Sequence, residues 1–313
     1  MVSNSADTPK RDLYLEAGAG SAEMPWHRSG VTTTRPTNAF SGQAYRGVNI
    51  VSLWAATATR YFSSGHWATF KQWRCLGAQV RKGEKGSLIV FYKRYVAGQS
   101  DVRAGSNEDG TSPDGRAKAV RWLARTSWVF NAEQVEGWSP PKPAVRSPAE
   151  VVSHAETFVD RTGATIRHGG ARACYRPSGD TIEMPARDSF TGTTTSGATE
   201  SYYAILFHEL THWSGHRSRL DRRLSNRFGE EAYAMEELVA ELGASFLCAE
   251  CAITNHPRLD HAGYIANWLA VLRNDKRAIF TAASKASEAT AFLIALQTMD
   301  AKKALTQVEE DRP

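Results

Sequence analysis

Phe207-His208-Glu209-Leu210-Thr211-His212-Trp213 places two histidines four residues apart, with a glutamate directly after the first. On an α-helix, residues i and i+4 lie one above the other on one face, so both imidazoles can aim at a single point in front of it. Neutral imidazole is a good ligand for a borderline-soft divalent cation. A carboxylate one position after the first histidine can take a proton from a water polarised by that cation without ligating it. His208 and His212 are therefore candidate metal ligands and Glu209 the candidate catalytic carboxylate. The expected occupant is Zn2+, with Mn2+ or another divalent metal as the alternative. The bland reading is a pair of core histidines satisfied by backbone.

A catalytic zinc keeps three protein ligands and an open position, so a third ligand must come from elsewhere in the chain. Glu236-Glu237-Leu238-Val239-Ala240-Glu241-Leu242-Gly243-Ala244 offers Glu237 and Glu241 four apart on one helical face, flanked by small residues that allow close approach of a neighbouring helix. Glu237 is assigned as the ligand. Glu241 is assigned behind it, as a carboxylate that fixes a histidine through its second ring nitrogen. The competing reading is a solvated acidic face shared with Glu236. His216 competes as a ligand, but Gly215 is expected to end the helix before it.

The elements needed to position these residues are legible around them. Tyr202, Tyr203, Leu206, Phe207 and Leu210 give the metal-site run a helical apolar pattern, with Thr199 as a candidate N-cap and Gly215 as a stop. Ser147-Pro148-Ala149-Glu150 has capping-box spacing with proline at the first helical position, predicting a helix to about Arg161. Strands follow near Thr165 to His168 and Ala173 to Met184, the second broken by a turn at Arg176 to Asp180. An edge strand of such a sheet can hold an extended peptide by strand addition. Residues 260–273 and 275–299 show helical spacing. Cys248 and Cys251 fall on the same helix as Glu237 and read as buried core.

The N-terminal part has a different character. Residues 1–100 carry 13 Lys/Arg against 5 Asp/Glu, while 101–313 carry 25 against 28, so the net charge of +5 conceals a basic N-terminal block. Aromatics interleave with these bases from Trp26 to Tyr95. Bases stack on aromatic faces while Lys and Arg track phosphates, and a duplex offers no exposed base face, so this mixture favours single strands. The alternative is that Trp54, Trp67 and Phe70 are core. Residues Gly47 to Trp54 read as a turn leading into a helix, Trp67 to Leu76 as a second helix ending at Gly77, and Arg81 to Gly86 as a basic turn into a strand from Ser87 to Arg94. Residues 97–119 form a flexible excursion before a strand at Trp128 to Phe130. Ser139-Pro140-Pro141-Lys142-Pro143 is the expected linker.

Length suggests two domains, and 42% hydrophobic with 23% charged residues is ordinary for a soluble globular chain. No run approaches the roughly 18 apolar residues of a membrane span, and Met1 to Met24 has no hydrophobic signal core, so a cytoplasmic location is expected. Four scattered cysteines make no disulfide framework.

The residues Thr37-Asn38, Gly42, Tyr45-Arg46-Gly47-x-Asn49, Trp67-x-Thr69-Phe70-Lys71-Gln72, Leu76-Gly77-Ala78 and Arg81-Lys82-Gly83-Glu84-Lys85-Gly86 resemble the N-terminal single-stranded-DNA-binding domain of ArdC-type antirestriction proteins, shared with some conjugative plasmid primases. Phe207 to His216, Arg219-Leu220, Phe228-Gly229, Glu236 to Glu241, Tyr264 to Leu269 and Asp275 to Phe280 resemble the zincin metallopeptidase domain of the same family. Leu13 to Pro25, with Gly18 and Gly20, departs from the amphipathic helix that opens other members.

The resemblance implies an α+β protein of two domains. Residues 1–138 would form a small α+β domain that binds single-stranded DNA, with a flexible insertion at about 97–120. Residues 139–148 would form a Pro-rich linker, and 149–313 a mostly helical zincin-like metallopeptidase domain with a short sheet. It implies a gluzincin-like site of His208, His212 and Glu237 with Glu209 catalytic, and DNA contacts at Tyr45, Arg46, Asn49, Trp67, Phe70, Lys71, Arg81, Lys82 and Lys85. The implied partners are single-stranded DNA and a protein or peptide substrate, with no membrane. The implied role is shielding incoming plasmid DNA from host restriction. Two alternatives remain: a protease acting on DNA-bound proteins, and a DNA-binding module whose metal is structural. His261 and Tyr264 are candidate oxyanion donors.

Overall fold

A computed structural model describes residues 34–96, 120–141, 147–191, 197–222, 230–253 and 277–310. The expectations for Leu13 to Pro25, the excursion at 97–119, the helix at 260–273, and His261 and Tyr264 lie outside the described residues. The chain divides into two compact units. One comprises Pro36–Tyr45 with Ala56–Pro141, and the other gathers Arg46–Ala55 with Lys142 onward. Arg46–Ala55 therefore groups with the C-terminal residues, and its apolar stripe explains why. Ile50, Leu53 and Trp54 are buried there, Trp54 meets Phe246 edge-on at 5.6 Å, and the Gly47 amide donates to Ser287 Oγ at 2.7 Å.

The small unit's four-stranded sheet is built from β1 (Thr37–Asn38), β2 (His66–Thr69), β4 (Ser87–Val96) and β5 (Val120–Asn131) in the order β1-β2-β5-β4, and helix α1 (Val48–Arg60) lies between β1 and β2 in the chain. Only β1 and β2 run parallel. A second pair, β3 (Gln79–Val80) and β6 (Val135–Glu136), is antiparallel. Trp67 to Thr69, expected to be helical, is strand. Helix α2 is confined to Phe70–Cys75 because Thr69 caps it: its Oγ1 accepts from the Gln72 amide while Gln72 Oε1 accepts from the Thr69 amide. Gly77, at φ 77°, then supplies a left-handed turn. Trp73, Ala78, Val80 and Val135 form a core under this end of the sheet.

In the large unit, α3 (Pro148–Asp160) starts at the expected capping box, with Ser147 Oγ accepting from the Glu150 amide. Strands β7 (Thr165–His168), β8 (Cys174–Arg176) and β9 (Thr181–Met184) follow as expected, in the order β7-β9-β8, so β8 is an edge. Helices α4 (Ala198–Ser214), α5 (Glu230–Cys251) and α6 (Ala278–Glu310) complete it. Gly197, not Thr199, caps α4, its amide donating to Glu200 at 2.8 Å. Gly215 ends it as expected.

Phe158, Tyr203, Phe207, Leu210, Leu247, Cys248 and Leu293 belong to one core, which confirms the buried reading of the cysteine pair. Ala278–Thr298 is long and apolar enough by composition to cross a membrane, but Ala278, Ala282, Ala286, Ala289 and Leu293 form a buried stripe at spacings of three and four, the pattern of a packed core helix.

Candidate metal centre

Helix α4 carries His208, Glu209 and His212, and α5 carries Glu236, Glu237 and Glu241. The two helices can approach because α5 presents Gly243 to Thr211. A Cβ at Gly243 would lie 2.5 Å from Thr211 Cγ2, where no side chain can stand. Close approach brings three donors together. His208 Nε2 and His212 Nε2 are 3.1 Å apart, and each is 3.5 Å from an oxygen of Glu237. Bonds of about 2.0–2.2 Å in a tetrahedral site separate donors by roughly 3.3–3.6 Å, so this triangle has the size that one divalent ion requires. His208, His212 and Glu237 are the cluster able to hold a metal among the described residues.

The other ring nitrogens each face a carboxylate. His208 Nδ1 faces Glu241 Oε2 at 3.6 Å, in the place assigned to Glu241. His212 Nδ1 donates to Glu236 Oε1 at 3.1 Å, a role not expected for Glu236. That carboxylate is fixed in turn by Arg222, whose side chain is 2% exposed and whose Nε donates to Glu236 Oε2 at 3.0 Å. Arg222 also donates to Thr211 O and Ser214 Oγ. A carboxylate behind each imidazole fixes the tautomer that leaves Nε2 as the donor.

The carboxylates of the cluster favour positive charge beside them. Burial works against charge on His208, but the adjacent carboxylates of Glu237 and Glu241 overcome this and raise it to about 10. Burial pushes Glu237 up, and His208, His212 and Tyr233 outweigh it, leaving the carboxyl below its ordinary value. Burial likewise opposes ionisation of Glu236, and His212 with Arg222 prevails.

Glu209 stands apart from the triangle. One of its oxygens accepts from the Tyr175 amide on β8 at 2.7 Å. It shares with the three donors a cleft of about 1290 Å³, which is also lined by Ala173, Cys174, Tyr175 and by Tyr233, one turn before Glu237. His216 lies past the helix end, with Nδ1 on Ser218 Oγ at 2.7 Å, and is not part of the donor triangle. Sequence reasoning missed Glu236, Arg222 and Tyr233. The signal for Tyr233 was its spacing of four from Glu237.

Comparison with known proteins identifies this arrangement. Residues 153–285 match the zincin-like metallopeptidase family, and residues 14–130 match the N-terminal domain of anti-restriction factor ArdC. The crystal structure of the antirestriction ArdC protein from the R388 plasmid, in its metal-free form, is 34% identical, covers 93% of this chain and 96% of its own, and superposes with a TM-score of 0.67. The chain belongs to the ArdC family of antirestriction proteins. The Mn(II)-bound form of the same R388 protein gives a TM-score of 0.62 at 33% identity, covering 93% of this chain and 97% of its own. An uncharacterized protein of Sinorhizobium fredii, y4eC, is 47% identical over 284 residues, 91% of this chain and 89% of its own. DNA primase TraC of Escherichia coli is 35% identical over 289 residues, 90% of this chain but 19% of TraC. The α+β architecture of an ArdC N-terminal domain and a zincin-like domain is thereby shown, and the donor set fits a divalent metal.

Within the ArdC N-terminal region the expected DNA contacts separate into two groups. Tyr45, Asn49 and Trp67 are buried, Trp67 completely. Trp67 sits on the covered face of a central strand, where no base can reach its ring, so its assignment as a stacking residue is corrected. The Tyr45 hydroxyl donates to Trp67 O, and burial pushes it up to about 12. Asn49 falls with Arg46 in the segment that groups with the C-terminal residues. Phe70, Lys71, Arg81, Lys82 and Lys85 are exposed in the small unit. Exposed aromatics that sequence reasoning did not select there are Phe40, Tyr61, Phe91 and Trp128.

Proposed function

We propose that this protein binds single-stranded DNA with its N-terminal domain, protects plasmid DNA entering the cytoplasm from restriction, and carries a working metallopeptidase centre. The observation that carries the enzymatic part is a donor triangle of His208, His212 and Glu237 opening on the same cleft as a carboxylate, Glu209, that metal binding does not need. A bound Zn2+ or Mn2+ would supply Lewis acidity toward a water and a peptide carbonyl. Glu209 would accept the proton of the attacking water and return it to the departing amine. The Tyr175 amide holds one of its oxygens, which leaves the other oriented for that transfer. Glu241 and Glu236, the latter locked by Arg222, keep the two imidazoles from turning. Strand β8, a sheet edge beside the cleft, suits an extended peptide.

A purely structural ion is disfavoured. Structural zinc takes four protein donors, and three converge among the described residues. The reading is tested by comparing wild type with Glu209→Gln in three assays: hydrolysis of labelled casein, single-stranded-DNA affinity, and protection of a conjugated plasmid in a restricting recipient. We expect hydrolysis to be lost, with DNA affinity and protection retained, because a stoichiometric coat blocks restriction without turnover. Casein hydrolysis unchanged in Glu209→Gln would overturn the catalytic assignment. Protection by a variant that no longer binds DNA would overturn the protective role of binding.

A further inference from the structure

On the face of the small unit's sheet opposite Trp67, Ala68 is covered by the Trp73 core, and the part left open beyond it is apolar where it should be polar. On β5, Thr126, Trp128 and Phe130 share one face, and Leu88 and Val90 of β4 stand opposite Trp128 and Thr126 on it. On the other face Ser87, Ile89, Val129, Asn131 and Trp67 are buried, and exposure returns only toward the far end, where Phe91 pairs with Arg125. The exposed side of an antiparallel sheet ordinarily carries polar residues. Here Trp128 is 61% exposed and Leu88 41%. Of the eight large hydrophobic side chains exposed among the described residues, six belong to this unit.

A row of rings continues from Trp128. A Cβ placed on Gly86 would lie 3.1 Å from Trp128 Cβ and 3.3 Å from the Phe130 ring, so the end of the basic turn runs directly against both. Phe70, 44% exposed, meets Phe130 edge-on with centroids 6.4 Å apart. Between Phe70, Phe130 and the turn at Arg81, Lys82 and Gly83 lies a cleft of about 570 Å³. Charge decides what such a surface would take. The described residues of the small unit hold ten Lys/Arg and three acids. Two of those acids are occupied internally, Glu84 by Arg81 and Gln134, and Glu133 by Ser63 and Ser64.

We propose that Trp128 and Phe70, with Phe130 between them, are the base-stacking platform of this protein, and that the phosphates of the same strand follow Arg81, Lys82 and Lys85. The occupant is single-stranded nucleic acid, because paired bases offer no face to these rings while a basic rim selects a polyanion. The proposal rests on the DNA-binding part of the function given above and adds the surface that performs it. It transfers the stacking role from the buried Trp67 to an aromatic on the neighbouring strand.

The test uses the full-length protein and fluorescein-labelled dT15, with an abasic oligonucleotide of equal length as the probe lacking bases. Trp128→Ala is expected to weaken dT15 binding by roughly 5- to 150-fold, the range of one lost stack, with the salt dependence unchanged. Trp128→Phe should retain most of the affinity, and abasic binding should be the same for all three proteins. Thermal melting confirms that the variants fold, and Phe70→Leu gives a second position on the platform. Unchanged dT15 affinity in both Trp128→Ala and Phe70→Leu overturns the proposal while leaving the DNA-binding reading intact. Equal loss for dT15 and the abasic strand also overturns it. A shift in oligomeric state on Trp128→Ala with DNA affinity unchanged would assign the face to a second copy of the chain. Wild-type protein that binds neither probe would refute the DNA-binding reading itself.

Discussion

Gly243→Ala should damage the metal centre from a distance of almost two helical turns. The new Cβ would stand 2.5 Å from Thr211 Cγ2 and 2.6 Å from Thr211 Oγ1, against the roughly 3.5–4.0 Å of ordinary carbon contacts. Thr211 cannot turn away easily: it is fully buried, and its hydroxyl donates to Phe207 O at 2.8 Å. Helices α4 and α5 must therefore separate by about 1 Å. Overpacking of this kind costs about 1–3 kcal/mol, and the better helix propensity of alanine returns up to about 1 kcal/mol. The net loss is thus on the order of 0–3 kcal/mol.

The larger effect falls on the ligands. Glu237 rides on α5, and widening its 3.5 Å approaches to both histidines by even part of that shift spoils the triangle. Metal affinity, measured by chelator competition, should fall by on the order of 10-fold or more, as when support of a ligand is lost. Adding Thr211→Ala removes Cγ2 and Oγ1, leaves the nearest atom at 3.1 Å, and should restore most of the affinity. Wild-type affinity in Gly243→Ala, or no recovery in the double variant, would refute the claim that this contact sets the helix spacing.

Three other substitutions test the surroundings of the site. Glu236→Ala and Glu241→Ala each free one imidazole and should weaken metal binding by about 10–100-fold in chelator competition. Glu236→Ala should also lower the melting temperature further, since it strands the buried Arg222 guanidinium; breaking one partner of a buried pair costs about 3–5 kcal/mol. Asp180, which ties the β8–β9 turn to Arg219, is held by that arginine at about 2, below its ordinary 3.8. A carboxyl depressed in the folded state contributes stability that is present above about pH 4 and lost as pH falls toward 2. Asp180→Asn should therefore melt below wild type at pH 5, with the difference shrinking toward pH 2, and a constant difference across that window would contradict the pairing.

The donor cluster was legible because its geometry is local: a spacing of four on one helix fixes His208 beside His212, and another on the next helix places Glu237 and Glu241 together. Glu236 and Arg222 were not legible, because the arginine arrives from the loop after α4 and nothing in the spacing of the two residues says that they meet. Thr69 misled the reading of Trp67 to Leu76. Its side chain ends a strand by capping the helix, and an apolar pattern alone does not reveal that change. The aromatic content of the N-terminal domain pointed to a stacking surface as a group, but which rings are exposed depends on strand pairing. Trp67 lies on a central strand where its face is covered, while Trp128 pairs with Leu88 on the open part of the opposite face.

Metal content per chain in wild type, His208→Ala, His212→Ala, Glu237→Ala and Glu209→Gln tests the central assignment most directly. Elemental analysis after loading and desalting should find one divalent ion in wild type and in Glu209→Gln, and none in the three ligand variants. Loss of the ion in Glu209→Gln equal to that in the histidine variants, or its retention in Glu237→Ala, would contradict the division of these four residues into three ligands and one base.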